Sequence, residues 1–335
     1  MNPFQYVTAG SPDEAVSLIG KNGRYLGGGI DLLDEMKEYI VSPDVLVNVK
    51  DMKPQGSMPT PHDINYGEVD PISNNVKSYV LGATVTVAEI AAHEELKKAL
   101  QGLTEAASEV GSPQIRNVAS LAGNLLQHSR CLYYRQPDIV CLKRGGNTCY
   151  ALNGENKYSS LFSGCECITP FTSNLGVTLT ALEAVPIVMG QGKLLPLSSM
   201  SGLYSETWKN PTAHNSLKAS DFLAAVTVPT KRTRSAYRQV SEKNEFDWAL
   251  VSCAAAANVT NGTITDARVV LGAVAPVPYM VEAANQFLEG RPLTDETASH
   301  AADLILRHAK PLAQNGYKVP LAHALIRRTL LALNP

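Results

Sequence analysis

Short apolar runs alternate with segments of helical composition through the first fifty residues. A helix is predicted at 12–20, because Ser11 suits the N-cap and is followed by a proline and two acidic residues. Residues 24–26 predict a short strand, residues 32–37 a second helix, and residues 45–49 another strand. This alternation is typical of mixed α and β structure.

The middle of the chain continues the mixture. Residues 79–86 predict a strand that leads into a helix at about 87–100, and a further helix is predicted at 101–110. Residues 177–188 are apolar and rich in Val, Leu and Ala, which favours buried sheet. Residues 200–220 are polar and loop-like.

The last third of the chain places its predicted strands before its predicted helices. A strand at 221–228 ends at Pro229, and we place a domain boundary near residue 230. Beyond it, strands are predicted near 236–240, 249–259 and 268–274, and helices at 281–288, 294–309 and 318–333. Strands followed by helices indicate the α+β fold class. Residues 54–75, rich in Pro, Gly, Ser and Asn, are expected to form a hinge with an exposed hairpin.

Length and charge restrict the function classes. The 335 residues suffice for two domains, and a net charge of −2 gives no electrostatic reason to expect nucleic acid or an anionic membrane as partner. The chain has no apolar run of about 18 residues, so no membrane span is expected. The first residues lack the basic and apolar regions of a secretory signal, which predicts a cytoplasmic protein, while periplasmic export with a partner subunit stays open.

A glycine-rich turn follows the strand predicted at 24–26. Gly27, Gly28 and Gly29 stand between that strand and a helix, where free backbone N–H groups and the helix dipole favour a phosphate. A tight turn without a ligand explains these glycines equally well, because glycine adopts positive φ without strain. The spacing differs from the glycine fingerprint of a Rossmann fold.

Five of the six cysteines lie in one stretch: Cys131, Cys141, Cys149, Cys165 and Cys167. Clustered thiolates are soft ligands that suit zinc or an iron–sulfur cluster. Cys131, Cys141, Cys149 and Cys167 are separated by nine, seven and seventeen residues, which matches no short zinc-knuckle spacing. A structural zinc site and unligated thiols remain alternatives to a cluster.

Together, these stretches resemble the FAD-binding subunit of molybdenum hydroxylases, a family that includes xanthine dehydrogenase, aldehyde oxidoreductase and carbon monoxide dehydrogenase. Residues 27–33 resemble the family's first flavin loop, although Ile30 stands where Thr is commoner. Residues 114–117 and 121–125 resemble the second flavin loop, and the region after residue 230 is similar to the family's C-terminal domain. The resemblance covers almost the whole chain.

This resemblance implies a fold and a set of FAD contacts. The FAD-binding domain, of the vanillyl-alcohol-oxidase (PCMH-like) type, is expected over 1–229, with subdomains of about 1–55 and 56–229. A C-terminal α+β domain of the carbon monoxide dehydrogenase flavoprotein type is expected over 230–335. The residues implied as FAD contacts are Leu26, Gly27, Gly28, Gly29, Ile30, Asp31, Leu32, Gln114, Ser120, Gly123, Asn124, Leu125, Arg130, Asn174 and Lys193.

The cysteines resemble the insertion of family members whose flavin subunit also carries a 4Fe-4S cluster, in particular the periplasmic type of bacterial aldehyde oxidoreductase. This likeness places the insertion at 131–167 and implies Cys131, Cys141, Cys149 and Cys167 as ligands. Cys165 is then a spare thiol or an alternative fourth ligand. Two positions depart from the family: Asn174 replaces an aspartate that contacts flavin, and Gln239 stands where lysine is more usual.

The resemblance also implies a function and partners. The chain is expected to be an electron-transferring FAD subunit that works with a molybdopterin-binding large subunit and a small subunit with two 2Fe-2S clusters. Electrons would pass through the clusters to FAD and then to an external acceptor. A zinc-stabilised assembly module without flavin and a stand-alone FAD oxidase are the alternatives. Trp248 is assigned to the core or an interface, and His128 to a structural role or a position near the cofactors.

Overall fold

The N-terminal part of the chain forms a small parallel sheet. The computed structural model describes residues 1–52, 61–67, 77–190, 193–244 and 246–334. The first strands and helices are β1 (Gln5–Thr8), α1 (Pro12–Leu18), β2 (Gly23–Leu26), α2 (Leu32–Lys37) and β3 (Val45–Asn48). The strands pair in parallel in the order β1–β3–β2. The Ser11 hydroxyl accepts a hydrogen bond from the Glu14 N–H, which confirms the predicted cap of α1.

A larger antiparallel sheet follows. Its strands are β4 (Ile64–Gly67), β5 (Ser78–Gly82), β6 (Val185–Gly190), β7 (Lys193–Pro196) and β8 (Phe222–Pro229), arranged in the order β4–β5–β8–β6–β7. The helices in this part are α3 (Val87–Ala92), α4 (Glu94–Ala99), α5 (Gln101–Ser108), α6 (Pro113–Arg116), α7 (Leu121–Leu125), α8 (Asn174–Ala181), α9 (Met200–Leu203) and α10 (Ser205–Lys209). The hinge predicted at 54–75 lies largely outside the described residues, and only residues 61–67, which include β4, belong to the described part of the chain.

The C-terminal part is an antiparallel sheet covered by helices. Strands β9 (Arg234–Val240), β10 (Val251–Thr260), β11 (Thr263–Gly272) and β12 (Tyr279–Met280) lie in the order β12–β11–β10–β9. Helices α11 (Glu282–Leu288), α12 (Asp295–Leu306) and α13 (Lys318–Leu331) follow. Among the described residues, no helix is long and apolar enough to cross a membrane. The predicted order of strands before helices is confirmed.

Strand β10 joins the two halves of the molecule through its two faces. Cys253 and Ala255 pack into the core that the helices α11–α13 complete. Ala254 and Ala256 point the other way, into the core that contains α5 and α8. Because both faces of the strand are buried, small side chains fill nearly every position from residue 253 to 257.

Three predicted elements differ from the structure. The single helix predicted at 87–100 is broken at His93, whose extended backbone begins a second helix and whose Nδ1 accepts from the Leu96 N–H. The buried sheet predicted at 177–188 begins as helix α8, which is buried on every side and therefore has no amphipathic period. The loop predicted at 200–220 contains the short helices α9 and α10.

The cysteine-rich insertion is held between two helices. From the end of α7 at Leu125 to the start of α8 at Asn174, this fully described stretch has only two short 3₁₀ turns, Leu142–Arg144 and Tyr150–Leu152. The insertion therefore has few backbone hydrogen bonds of a helix or sheet, and its shape depends on side-chain contacts.

Candidate functional site

A cleft of about 750 Å³ opens between two loops rich in small residues. The first glycine loop, residues 27–31, leaves the end of strand β2, and the second glycine loop, residues 120–125, contains helix α7. Most of the predicted FAD contacts line this cleft: Leu26, Gly27, Gly28, Gly29, Ile30, Asp31, Leu32, Ser120, Gly123, Asn124 and Arg130. The structure thus brings together two motifs about ninety residues apart in the sequence.

Backbone hydrogen bonds hold the second glycine loop in place. The Leu121 N–H donates to the Val85 carbonyl at 2.8 Å, and the Ala122 N–H donates to the Ala83 carbonyl at 2.9 Å. The Ser120 hydroxyl caps α7 by accepting from the Gly123 N–H at 3.1 Å. The loop is therefore attached to the end of β5 independently of any ligand.

The first glycine loop packs directly on the backbone before the second. A methyl group added to Gly28 would lie 2.0 Å from the carbonyl oxygen of Val118. One added to Gly27 would lie 2.9 Å from the Ser120 hydroxyl, and Gly29 has φ of +73°. Glycine is thus required at Gly28 for close approach of the two backbones, and at Gly29 for its left-handed conformation.

Arg130 has an unsatisfied donor at the wall of the cleft. Its Nη2 lies 2.8 Å from the Asp31 carboxylate, and its guanidinium stacks 4.4 Å from the centre of the Trp248 ring. Its Nε is buried and has no hydrogen-bond partner within the described structure. A buried N–H without a partner is unfavourable, so this atom suits an acceptor supplied by a ligand in the cleft.

Asp31 connects the first glycine loop with the cysteine-rich insertion. Its carboxylate lies 2.8 Å from Arg130 and 2.7 Å from Arg135, and it accepts from the His128 N–H at 2.7 Å. Burial alone would raise the pKa of Asp31, but the two guanidinium groups outweigh it and hold the pKa below its usual value. Arg130 and Arg135 flank Cys131, so this ion-pair group joins the two candidate sites.

Two stacked histidines lie beside this ion-pair group. The rings of His128 and His214 are 3.9 Å apart between centroids, and His128 Nδ1 lies 2.9 Å from the buried Glu35 carboxylate. The Tyr134 hydroxyl donates to the same carboxylate at 2.8 Å. His214 lines the cleft and is half-buried, and its burial lowers its pKa well below the ordinary value. His214 is therefore neutral at physiological pH.

The four predicted cysteine ligands line one small cavity. Cys131, Cys141, Cys149 and Cys167 surround it together with the buried Lys143, and Cys165 is not among the residues that line it. All are free thiols. Burial raises the pKa of Cys131 and raises that of Cys167 to about 12, so these thiols need a metal or a cation to become thiolates.

The spacing of these thiols differs from that of a mononuclear metal site. Among the residues that the structure describes, no three His, Cys, Asp or Glu side chains are grouped closely enough to hold one metal ion. A tetrahedral zinc ion requires sulfurs at about 2.3 Å from a common centre. The described thiols therefore do not form a site of that geometry.

Four predicted FAD contacts lie outside the described lining of the cleft. Gln114 is exposed at the start of α6, and Leu125 is buried. Asn174 begins α8 and donates to Gln239 Oε1 at 2.9 Å. Lys193 lies in β7, and its side chain is outside the described residues. A role for these four residues in FAD binding stays a prediction.

Sequence reasoning missed residues that close the cleft from other parts of the chain. Trp248 is 46% exposed and lines the cleft, so it does not belong to the core, while a position at an interface stays a prediction. His214 lines it from a polar stretch without a motif. Arginine and tryptophan side chains often stack, which is the one signal for the Trp248–Arg130 contact in the sequence. Nothing in the sequence shows that these two positions meet.

Comparison with known proteins decides the family. A profile for the FAD binding domain in molybdopterin dehydrogenase matches residues 2–231, and one for the CO dehydrogenase flavoprotein C-terminal domain matches residues 235–333. This chain belongs to the FAD-binding medium subunits of the molybdenum hydroxylases. The family, an oxidoreductase family, is the one predicted from the glycine loops.

Individual members of this family are similar to the chain over nearly their full length. The aldehyde oxidoreductase FAD-binding subunit PaoB of Escherichia coli is 30% identical over 340 residues, covering 99% of this chain and 98% of that protein. The carbon monoxide dehydrogenase medium chain of Hydrogenophaga pseudoflava is 22% identical over 338 residues, 98% of this chain and 96% of that protein.

Solved structures confirm the predicted fold class. Carbon monoxide dehydrogenase from Hydrogenophaga pseudoflava, in a form that lacks the Mo-pyranopterin moiety, gives a TM-score of 0.72 at 22% identity, with 99% of this chain and 98% of that chain covered. Reconstituted CO dehydrogenase from Oligotropha carboxidovorans gives a TM-score of 0.74 at 20% identity, with the same coverage. An FAD-binding domain followed by a flavoprotein C-terminal domain is therefore the architecture of this chain.

Proposed function

We propose that this chain is the electron-transferring FAD subunit of a molybdenum hydroxylase of the aldehyde oxidoreductase type. It receives electrons from iron–sulfur clusters and delivers them through FAD to an external acceptor. The observation that carries this proposal is the cleft, in which the two glycine loops and the unpaired Arg130 Nε meet. The likeness to the PaoB subunit, over nearly the whole of both chains, supports the aldehyde oxidoreductase type.

The cleft has the features that a flavin dinucleotide needs. The backbone N–H groups of the glycine loops and Arg130 would hold the pyrophosphate, since both loops and Arg130 line the cleft and can offer donors to it. Asp31 keeps Arg130 in place through an ion pair at 2.8 Å. FAD, when bound, supplies the capacity to accept and release electrons, and the protein supplies its position and electrostatic environment.

The cysteine cavity suits a 4Fe-4S cluster as second cofactor. Four cysteine thiolates are the usual ligands of such a cluster, and four thiols line this cavity. The position of Cys167 on the cavity wall supports it as the fourth ligand in preference to Cys165. Ligation would also stabilise the insertion, because its backbone has little regular structure of its own.

Two partner subunits complete the proposed enzyme: a molybdopterin-binding large subunit, which oxidises the substrate, and a small subunit with 2Fe-2S clusters. The relatives are called FAD-binding subunits and medium chains, which indicates multi-subunit enzymes. Exposed apolar side chains are frequent on the cysteine-rich insertion, where Leu132, Val140 and Tyr150 are 55%, 59% and 45% exposed. Such surface is typical of subunits that are buried in a complex.

An absorption spectrum with metal analysis tests this function. The chain is co-expressed with the genes next to its own, and the purified complex is measured before and after reduction with dithionite. We expect flavin bands together with a broad shoulder at about 400 nm that bleaches on reduction, and iron in the preparation. The expected metal content is iron without zinc.

Other results would contradict specific parts of the proposal. Flavin without iron would indicate a stand-alone flavin oxidase and remove the cluster. Zinc with neither flavin nor iron would indicate an assembly module and remove both cofactors. A monomer of this chain that oxidises an aldehyde without partners would contradict the proposed division of labour among subunits.

A further inference from the structure

Lys143 is a buried cation without a carboxylate partner. Its side chain lies in the wall of the cysteine cavity, and the residue is 6% exposed. Its Nζ donates to the Ala213 carbonyl. Burial lowers the pKa of Lys143 below its ordinary value, and negative charge on Cys167, Cys165, Cys141 and Cys131 acts in the opposite direction. In the described part of the chain, no Asp or Glu forms an ion pair with it.

Such a lysine is unfavourable unless negative charge lies nearby. Removing an ammonium group from water is costly even after the surroundings relax, and one carbonyl acceptor offsets only part of that cost. Protonated thiols carry no charge that could compensate the ammonium. Thiolates do, and four thiolates around an iron–sulfur cluster leave a net negative charge beside Nζ.

The lysine is also held rigidly with respect to the cavity. It lies in the 3₁₀ turn Leu142–Arg144, directly after Cys141, and Gly145 ends that turn in the left-handed conformation. Its acceptor, Ala213, belongs to the segment that lines the flavin cleft next to His214. The ammonium group therefore occupies a defined position between the cysteine cavity and the flavin cleft.

We propose that Lys143 is the buried counter-charge of the cysteine site and raises the reduction potential of the cluster there. One-electron reduction adds one negative charge at the cavity, and a fixed cation nearby stabilises this more negative state. This inference rests on the proposed 4Fe-4S cluster. Lys143 acts as a positioning and tuning residue, since it ligates neither iron nor flavin.

A redox titration of the assembled complex tests the proposal. Lys143→Met keeps the length of the side chain and removes its charge, whereas Lys143→Arg keeps the charge. Electron paramagnetic resonance of the reduced cluster gives its potential at each step of a dithionite titration. We expect the midpoint potential to shift to more negative values in Lys143→Met and to stay near wild type in Lys143→Arg.

Lys157→Met is the matched control. Lys157 lies in the same insertion and pairs with Glu242 at the surface, so its removal changes the net charge by the same amount away from the cavity. Its variant should keep the wild-type potential, because water and salt screen an exposed charge. An equal shift in Lys157→Met and Lys143→Met would overturn the proposal.

The potential and the iron content of the two Lys143 variants decide between the other outcomes. An unchanged potential in Lys143→Met refutes the tuning role. If Lys143→Met loses its iron while Lys143→Arg retains it, the charge is required to hold the cluster, which supports the counter-charge. If both variants lose iron, the site depends on side-chain shape, and the inference is wrong. A wild-type complex without iron refutes the proposed function itself, and this inference with it.

Discussion

The flavin cleft and the cysteine cavity are built by different means. The cleft is bounded by backbone: its second glycine loop is hydrogen-bonded to the end of β5, and Gly28 packs against the Val118 carbonyl. The cavity is bounded by side chains on a stretch with only two 3₁₀ turns, Leu142–Arg144 and Tyr150–Leu152. Protein hydrogen bonds hold the loops of the first site, whereas the insertion around the second has little regular backbone structure, and a metal bound there would stabilise it.

This difference predicts opposite responses to the loss of a cofactor. Removal of FAD should leave the loops around the cleft in place, since protein hydrogen bonds hold them. Removal of a cluster should loosen the insertion at 131–167. The two regions still communicate, because Asp31 in the first glycine loop is paired with Arg130 and Arg135 on either side of Cys131. Substitutions at the cysteines of the cavity, at Gly28 and at Asp31 separate these effects.

The largest effect is expected at the cysteines that line the cavity. Replacement of Cys131, Cys141, Cys149 or Cys167 with Ser should abolish iron binding, because a hydroxyl is a poor substitute for a thiolate. FAD content should fall only in part, since the glycine loops are held independently. Iron and flavin analyses of the purified complex measure both quantities.

Cys165→Ser is the matched control for this experiment. Its thiol is two residues from Cys167 but does not line the cavity, so the variant should retain iron. An iron-free Cys165→Ser variant beside an iron-containing Cys167→Ser variant would reverse the assignment of the fourth ligand. Complete loss of FAD in every cysteine variant would contradict the independence of the two sites.

The next largest effect is expected for Gly28→Ala. The added methyl group would lie 2.0 Å from a backbone carbonyl oxygen, so one of the two loops must move. We expect FAD affinity to fall by about a hundredfold or more, equivalent to roughly 3 kcal/mol, and the iron content to change little. Equilibrium dialysis with FAD against the deflavinated complex measures this loss.

Gly123→Ala tests whether backbone contact causes the effect. A methyl group at Gly123 meets only the Ser120 hydroxyl, at 3.0 Å, and that side chain can shift. The loss of affinity should therefore be at least about tenfold smaller than for Gly28→Ala, or roughly 1.4 kcal/mol. Equal losses in both variants would mean that filling the pyrophosphate space matters and contact between the loops does not.

The sequence predicts the two glycine loops of the cleft better than the other residues that line it. The sequence predicts both glycine loops, because glycine and small capping residues have local conformational preferences. Trp248 and His214 reach the cleft from parts of the chain about 120 and 90 residues beyond the second loop, and no local rule encodes such a contact. Three-dimensional packing alone brings them to the site.

The absence of a local sequence signal for three-dimensional packing also explains the elements that were assigned wrongly. Helix α8 is surrounded by core on all sides, so its apolar pattern has no period and suggested a strand. The four cysteines could be named as a set by family resemblance, whereas the buried position of Lys143 among them has no signature in the sequence. A lysine is normally exposed, and burial beside thiols is visible only in the structure.

A moderate effect is expected for Asp31→Asn, which tests the connection between the regions. The substitution leaves Arg130 and Arg135 without their shared carboxylate, and should cost about 2 kcal/mol, less than a fully buried pair because the Asp31 side chain is 17% exposed. FAD affinity and iron retention should both decrease. In the wild type this contribution is present above about pH 4 and is lost as the pH falls below it, since the pKa of Asp31 is lowered in the folded state.

The outcome for Asp31→Asn decides whether the sites are coupled. The FAD affinity is measured by titration with FAD at pH 7, and the iron retained by the complex is measured by metal analysis at the same pH. Glu95→Gln serves as control, because Glu95 forms an exposed pair with Lys98 on α4, away from both sites. Loss of FAD with full retention of iron would show that the ion-pair group serves the cleft alone and would sharpen the contrast between the regions.

The smallest effect is a pH dependence that originates at His214, beside the cleft. Packing lowers the pKa of His214 in the folded state, so below about pH 6.5 the unfolded chain binds a proton that the folded chain does not. Its contribution to stability is therefore complete above that pH and is lost progressively as the pH falls. The slope is at most about 1.4 kcal/mol per pH unit, and smaller here because His214 is only half-buried. His214→Phe keeps a ring to stack on His128 and cannot titrate. Urea unfolding of the complex from pH 8 to pH 5 should show a steeper loss of stability in the wild type than in this variant, and parallel curves would show that His214 titrates alike in both states.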